Sequence, residues 1–290
     1  MKTALVTGAA GLLGKATVDA LADAGVEVHA LVRDASQGFR DDVQFHSGDL
    51  SQPIDSSALP AQVDAIFHLA QAREFRDFPG GAPATFAINV ASTVGLLDYA
   101  GKAGASSFVY ASSGGVYEGA AGEPLTEDAP VQRPEKLGFY LGTKLSSEAL
   151  VNSYASEFST ACLRYFFIYG PDQARGMLVP RLYDRVRNGE AITLQGEHGM
   201  RINPVHAADA AAATIAAAAV EGRTTSNIAG PQVVSLREVG EIFASDLGRA
   251  AVFEGSEGPA TDLIASIDRM SELLARPTIT LRDALADIRG

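Results

Sequence analysis

Three glycines spaced three residues apart, soon after the first apolar segment, constrain the fold of this chain more than any other feature. Residues 4–6 are apolar and residues 15–24 are typical of a helix, and the glycines lie between them. In such a loop Gly8 permits a tight turn, Gly11 lets the backbone approach a pyrophosphate, and Gly14 allows close packing of helix on strand. The helix N-terminus adds free N–H groups and the positive end of a dipole. This start predicts a dinucleotide-binding βαβ unit.

Apolar strands and helical stretches alternate through the first half of the chain. The sequence predicts strands at residues 4–6, 26–32, 63–69, 108–112 and 161–168, and helices at residues 15–24 and 89–102. Strands that alternate with helices form a parallel sheet that helices cover on both faces. We therefore expect an α/β fold: a Rossmann-type doubly wound parallel sheet with a smaller C-terminal α+β substrate-binding region.

The second half of the chain has a different pattern. A charged helix with turns is followed by an alanine-rich helix and two further helical segments, at residues 180–196, 207–220, 236–247 and 270–274. No low-complexity linker marks a hinge. We expect residues 1–165 to form the dinucleotide-binding domain, with segments near residues 201–230 returning to it. Residues 166–290 are then expected to form mainly a substrate-binding region.

Charge, cysteine content and hydropathy exclude several kinds of partner. A net charge of −12 repels a phosphate backbone from most of the surface, so nucleic acid is not expected as a partner. Cys162 is the single cysteine; it cannot form an internal disulfide, which fits a reducing, cytoplasmic location. The longest apolar stretch, residues 207–220, contains Asp209 and is typical of a packed helix, so no membrane contact is expected. No residue near His206 has metal-ligand spacing, so no metal is expected.

The end of the second predicted strand bears on which dinucleotide would bind. An NAD site usually places an acid there for the ribose hydroxyls. Here Val32 occupies that position and Arg33 follows it. A guanidinium suits a 2′-phosphate, whereas Asp34 one residue later keeps NAD open. We expect the cofactor to be NAD or NADP, with NADP slightly favoured by Arg33.

A catalytic group is predicted after the fourth strand. Tyr140 and Lys144 are four residues apart on a predicted helix, so both side chains lie on one face. A free tyrosine has a pKa of about 10, and a nearby ammonium group favours its phenolate. Ser113 follows the strand at residues 108–112, at the sheet edge where parallel α/β sheets bind ligands. We expect Ser113, Tyr140 and Lys144 to be catalytic, with Ser112 the alternative serine.

These motifs resemble the extended short-chain dehydrogenase/reductases, and more narrowly the NAD-dependent epimerase/dehydratase family. The resemblance covers nearly the whole chain, through residues 7–14, 48–50, 68–70, 89–90, 112–117, 140–144 and 163–171. It implies that Tyr140 exchanges a proton with the substrate, that Ser113 polarises a substrate oxygen, and that Lys144 binds the nicotinamide ribose. It also implies a homodimer through a four-helix contact that includes the Tyr140 helix.

The residues and the resemblance together define the expected ligand contacts. The expected cofactor-binding residues are Thr7, Gly8, Gly11, Leu12, Leu13, Gly14, Arg33, Asp49, Leu50, Leu69, Ala70, Asn89, Ser112, Tyr140, Lys144 and Phe166. The expected substrate-binding residues are Gln71, Ser113, Phe167 and Arg201. Phe167 stands where the family usually has an asparagine. Arg201 matches the family's phosphate-clamping arginine, although a surface ion pair is an equal alternative.

The expected function follows from these residues. The leading hypothesis is a sugar-nucleotide epimerase that oxidises a ring hydroxyl and returns the hydride to the other face, with a small-molecule substrate such as a nucleotide sugar. The alternative is an NADPH-dependent ketoreductase acting on a keto sugar or another carbonyl, which Arg33 and Phe167 favour. Dehydratase activity is less expected, because Gly114 and Gly115 supply no carboxylate. A non-catalytic dinucleotide-binding sensor is the alternative of another class.

Overall fold

A computed structural model describes residues 1–119, 123–258 and 260–289, and a seven-stranded sheet runs through these residues. The strands are β1 (Thr3–Thr7), β2 (Glu27–Val32), β3 (Gln44–Ser47), β4 (Ala65–His68), β5 (Ser107–Ser113), β6 (Ser159–Tyr165), β7 (Ala191–Gln195), β8 (Arg201–Ile202), β9 (Arg223–Ile228), β10 (Val234–Ser235) and β11 (Val252–Ser256). The order across the main sheet is β3-β2-β1-β4-β5-β6-β9.

Every neighbouring pair in the main sheet is parallel. The carboxyl ends of all its strands therefore lie at one edge, where such sheets bind ligands. The chain runs outward from β1 through β2 to β3 and then returns to place β4 on the other side of β1. This reversal creates a crevice between the ends of β1 and β4.

Helices cover both faces of the sheet. They are α1 (Leu12–Asp23), α2 (Ala82–Phe86), α3 (Ser92–Lys102), α4 (Pro134–Ser153), α5 (Leu178–Asn188), α6 (Ala207–Ala217), α7 (Leu236–Leu247), α8 (Asp268–Leu273) and α9 (Leu285–Arg289). A π-helical turn, Ala87–Ala91, joins α2 to α3. On one face α1 and α6 pack around Val18 and Leu21, and on the other α3 and α4 pack around Leu97 and Val151. Burial of each such side chain contributes about 1.5–3 kcal/mol.

The C-terminal region builds a smaller core of its own. β8 pairs with β10 antiparallel and β7 pairs with β11 parallel. Buried side chains of α5 and α7, including Tyr183 and Phe243, form the centre of this core with Ile288 of α9. α7 begins with a capping box between Ser235 and Glu238, which satisfies backbone N–H groups at its first turn.

The predicted fold class is confirmed, and the differences lie in individual elements. The prediction omitted β3, which is short and partly exposed, and β9, whose first four residues are polar. β9 completes the sheet because β6 offers it a full ladder of backbone partners. The predicted helix at residues 89–102 begins in the π turn. The division into two domains stays a prediction, although α6 packs on α1 and β9 joins the main sheet.

Candidate active site

The glycine loop connects β1, α1 and the end of β4 closely. Gly8 has a φ of +68°, and a Cβ there would lie 2.7 Å from the backbone of Ala70. A Cβ at Gly14 would lie 2.0 Å from the carbonyl oxygen of Gly8. The N–H of Gly11 donates to that same oxygen at 2.9 Å. A side chain at Gly8 or Gly14 would push the loop outward, so the close packing predicted for Gly14 is present, and Gly8 packs against the segment just after β4.

A cleft of about 490 Å³ opens from this loop across the ends of β2 and β4. Its lining includes these expected cofactor residues: Gly8, Gly11, Arg33, Asp49, Leu50, Leu69 and Ala70. Gln71, which was expected to contact substrate, also lines it. The residues fit a dinucleotide, because the glycine loop leaves room for a pyrophosphate beside the α1 N-terminus.

The rim of the cleft carries one cation and one anion that bear on the choice of dinucleotide. Arg33 is exposed at the end of β2, and Asp49 lies across from it in the loop after β3. Hydrogen bonds from Ser51 lower the pKa of Asp49, and the charge of Arg33 lowers it further. Asp34 instead accepts hydrogen bonds from the Ser36 N–H and hydroxyl, so its carboxylate caps a short turn.

Some expected cofactor residues lie outside the cleft lining. The hydroxyl of Thr7 is buried, 2.7 Å from Nδ1 of His68. Leu12, Leu13 and Gly14 form the first turn of α1, and the side chain of Leu13 packs into the core. Phe166 is buried beneath Gly114, where a Cβ would lie 2.4 Å from its ring. Contacts from Thr7 or Phe166 to a cofactor would therefore have to come from the backbone.

Asn89 connects three segments of the chain inside the protein. Its Oδ1 accepts from the N–H of Ala72 at 3.2 Å, and its Nδ2 donates to Oγ1 of Thr143 at 2.9 Å. Its carbonyl oxygen accepts from the hydroxyl of Ser147 at 2.7 Å. Asn89 is 1% exposed, so its side chain supports the loop after β4 and α4 from within.

Tyr140, Lys144 and Ser113 converge at the carboxyl end of β5. The backbone of Gly138 is non-helical, so the regular part of α4 begins just before Tyr140. Nζ of Lys144 lies 6.0 Å from the centre of the Tyr140 ring and donates to the carbonyl oxygen of Ala111 at 2.8 Å. Ser113 is close enough for its hydroxyl to hydrogen-bond the phenol of Tyr140.

Burial dominates the electrostatics of these groups. It raises the pKa of Tyr140 to about 12, against smaller lowering effects of the Ser113 hydroxyl and the Arg76 charge. It also lowers the pKa of Lys144 to about 7, against the charge of Glu148. The expected lowering of the Tyr140 pKa by Lys144 is therefore not found in this structure. A phenol with this pKa is protonated near neutrality in this structure.

Two further residues contact Tyr140 directly from the loop after β4. The hydroxyl of Tyr140 donates to Oε1 of Gln71 at 2.8 Å. The ring of Phe75 lies 4.7 Å from the ring of Tyr140, centre to centre. Gln71 was expected to contact substrate, but nothing in its local sequence pattern indicated a contact with the tyrosine.

A buried ion pair that sequence reasoning missed lies behind the site. Ser112 donates to the carboxylate of Glu148, and Arg164 donates to both of its oxygens, at 2.9 and 2.7 Å. Glu148 follows Lys144 by four residues, so helical spacing could have shown that they share a face. The hydroxyl of Ser112, a residue expected near the cofactor, is a partner of this carboxylate.

The expected substrate residues other than Gln71 and Ser113 lie in the C-terminal region. Phe167 has a φ of +46°, an uncommon conformation for a bulky residue. The guanidinium of Arg201 donates to Asp262 at 3.0 and 2.7 Å, and its backbone N–H donates to the same carboxylate. Arg201 thus forms the ion pair that was the alternative to a phosphate contact.

Metal-binding clusters and membrane-spanning helices are both absent from the described part of the chain. Residues 1–119, 123–258 and 260–289 contain no group of histidine, cysteine and carboxylate side chains that could hold a metal ion. Among the helices in those same ranges, none has both the length and the apolar character needed to span a bilayer.

The chain is similar to a glycan biosynthesis protein and to an enzyme that acts on a sugar nucleotide. It is 31% identical to a low-salt glycan biosynthesis protein of Haloferax volcanii, over 67% of this chain and 65% of that protein. It is 29% identical to a dTDP-glucose 4,6-dehydratase of Streptomyces griseus, over 97% of this chain and 91% of that protein. The chain thus spans slightly less than two thirds of the Haloferax protein.

A solved structure is also similar to this chain over nearly its whole length. The UDP-glucuronic acid 4-epimerase of Bacillus cereus, in complex with UDP-glucuronic acid and NAD, is 26% identical and superposes with a TM-score of 0.83. The match covers 98% of this chain and 97% of the epimerase. The family model for the NAD dependent epimerase/dehydratase family matches residues 4–229. The chain therefore belongs to the NAD dependent epimerase/dehydratase family, a family of oxidoreductase-type enzymes.

Proposed function

We propose that this chain is an NAD-dependent sugar-nucleotide epimerase in which Tyr140 exchanges the proton with the reacting hydroxyl of a UDP-sugar. The observation that carries the proposal is the convergence of Tyr140, Ser113 and Lys144 at the end of β5, where the phenol is hydrogen-bonded to a residue of the glycine-lined cleft. NAD is favoured over NADP because the epimerase structure described above holds NAD.

The residues would divide the chemistry among themselves. NAD, when bound, supplies the hydride acceptor and donor at the reacting carbon. Ser113 donates a hydrogen bond to the substrate oxygen, and Tyr140 takes the proton from the hydroxyl and gives it back to the ketone. Lys144 stays fixed through its hydrogen bond to Ala111, where its ammonium group stabilises a phenolate on Tyr140.

The glycine loop and the cleft would position the cofactor. Gly8, Gly11 and Gly14 leave room for a pyrophosphate, and the free N–H groups of α1 point toward it. Asp49 and Arg33 lie where the cleft crosses the end of β2, which suits the adenosine end of a dinucleotide.

Incubation of purified protein with NAD+ and UDP-glucose or UDP-glucuronic acid tests this function. Proton NMR should show the C4 epimer, with cofactor retained in about one equivalent per chain. Tyr140→Phe should lower kcat by roughly 10²–10⁴-fold, the usual contribution of a general acid–base. Tyr154→Phe, at the end of the same helix, is the matched control and should keep full activity. Full activity in the Tyr140→Phe variant would exclude Tyr140 as the proton carrier.

A second candidate, reduction of a keto sugar or another carbonyl, is favoured by two observations. Arg201 is paired with Asp262, so a phosphate would have to compete for its guanidinium. Tyr140 is protonated near neutrality, which is the form needed to give a proton to a carbonyl oxygen. Oxidation of added NADH or NADPH by carbonyl compounds, without retained cofactor, would identify this activity.

The homodimer and the cytoplasmic location stay predictions. The homodimer is tested by light scattering of the purified protein, which should give twice the mass of one 30.2 kDa chain. A monomer would contradict the four-helix contact that the family resemblance implies.

A further inference from the structure

We infer that Gln71 is a positioning residue for Tyr140, and that its carboxamide serves as hydrogen-bond partner to both the phenol and the phenolate. The inference rests on the proposed function, because it assigns a partner to the tyrosine that would exchange the proton. It also assigns a role to Gln71, which lies outside the sequence motifs described above.

A short hydrogen bond joins Tyr140 to Gln71 at the cleft. The hydroxyl of Tyr140 lies 2.8 Å from Oε1 of Gln71 and donates to it. Gln71 follows the end of β4 by three residues and lines the cleft. The amide therefore connects the cleft lining to Tyr140.

A path of hydrogen bonds and one peptide bond also connects the backbone of Tyr140 to Gln71. Starting from the backbone of Tyr140, its carbonyl oxygen accepts from Oγ1 of Thr143 at 2.6 Å. Thr143 accepts from Nδ2 of Asn89, and Oδ1 of Asn89 accepts from the N–H of Ala72. Ala72 is bonded to Gln71 in the chain, and the amide of Gln71 returns to the phenol. Asn89 and Thr143 are buried, so the backbones next to Gln71 and at Tyr140 are held by buried partners.

The carboxamide has a property that other side chains of its size lack. Its oxygen accepts a hydrogen bond and its nitrogen donates one, and rotation of the terminal group exchanges the two. The oxygen matches the protonated phenol seen here. After the proton has passed to the substrate oxygen, the Nε2 group matches the phenolate. A hydrogen bond to an ionised acceptor is stronger than one between neutral groups, so on balance Gln71 favours the phenolate.

The groups around the phenol show why such a partner matters. Ser113 and the charge of Arg76 favour the phenolate, and Nζ of Lys144 lies 6.0 Å from the ring centre. The buried phenol of Tyr110 lies on the strand side of α4. The ring of Phe75 packs against the Tyr140 ring at 4.7 Å, centre to centre. With burial opposing ionisation, the amide of Gln71 adds to the Ser113 hydroxyl a second neutral contact that can both donate and accept.

NMR of protein labelled with ¹³C at the tyrosine Cζ measures the ionisation of Tyr140 without any turnover. The chain has eight tyrosines, and Tyr140→Phe identifies the resonance. The titration is followed with and without saturating NAD+. Relative to wild type, Gln71→Leu should raise the midpoint by about one pH unit, since a charge-assisted hydrogen bond is lost. Gln71→Glu should raise it further, because a carboxylate can only accept and repels the phenolate.

The control is Gln44→Leu, an exposed glutamine on β3 far from the site, which should leave the midpoint unchanged. An unchanged midpoint in both Gln71 variants would overturn the inference, whatever the activity of the protein. A midpoint that rises in a protein with no epimerase turnover would keep the inference and reject the proposed substrate. Where turnover is found, Gln71→Leu should lower kcat several-fold with little change in KM.

Discussion

The carboxylate of Glu148 and the guanidinium of Arg164 form a buried pair, joined by hydrogen bonds of 2.9 and 2.7 Å, on the inner side of α4. Glu148 lies one helical turn after Lys144, and Ser112 donates a third hydrogen bond to it. The pair links α4 to β5 and β6. A negative charge at this place also offsets part of the cost of burying the Lys144 ammonium.

Removal of one partner of this pair should be far more harmful than removal of both. Arg164→Met leaves a buried carboxylate without its cation, which should lower the free energy of unfolding by about 3–5 kcal/mol. The double variant with Glu148→Gln should recover a large part of that loss. Urea denaturation followed by circular dichroism measures all three proteins. Equal destabilisation of the single and double variants would contradict the pairing.

His68 should make the protein less stable in mild acid. Burial, with the positive charge of Lys144 as second cause, lowers its pKa from 6.5 to about 3. Between these values the unfolded chain binds a proton that the folded chain does not, so stability falls as the pH drops below 6.5. The loss should be about 2 kcal/mol at pH 5, with none above pH 7.

The variant His68→Asn removes this titration and tests whether it lowers the stability at acidic pH. Its free energy of unfolding should change less between pH 7 and pH 5 than that of the wild type, by about the same 2 kcal/mol. Parallel pH curves for the two proteins would show that His68 is not the group responsible.

Gly14→Ala should damage the cofactor loop. The new Cβ would lie 2.0 Å from the carbonyl oxygen of Gly8, so the loop backbone has to move. We expect a loss of stability of about 1–3 kcal/mol and at least about tenfold weaker NAD+ binding by calorimetry. Gly101→Ala in α3 is the matched control, because no atom outside the neighbouring helix backbone lies within 4 Å of its added Cβ. That variant should gain about 0.5–1 kcal/mol.

Arg33→Ser should separate the two dinucleotides. If Arg33 contacts a 2′-phosphate, the variant should lose about tenfold in NADP+ affinity, the effect of one charge-assisted hydrogen bond. NAD+ affinity should stay the same. Fluorescence titration with each dinucleotide gives the two affinities. Equal losses of affinity for NAD+ and NADP+ would show that Arg33 does not recognise the 2′-phosphate.

Local sequence patterns determined the parts of the site that lie within one segment. The spacing of Gly8, Gly11 and Gly14 between a strand and a helix predicts the loop, because a Cβ at Gly8 or Gly14 would collide with backbone atoms. The four-residue spacing of Tyr140 and Lys144 likewise places them on one helix face. Ser113 was placed by the rule that parallel strands present their carboxyl ends at a common edge.

Contacts between distant segments were decided by the tertiary structure alone. Gln71 meets Tyr140 across 69 residues of sequence, and Arg201 meets Asp262 across 61. Asn89 bonds inside the protein, because the π turn aims its amide at α4. Such partners depend on which strand ends the sheet order brings together, and that order is a property of the whole core. Periodicity identifies a strand or a helix, but it carries no information on the neighbour across the sheet edge.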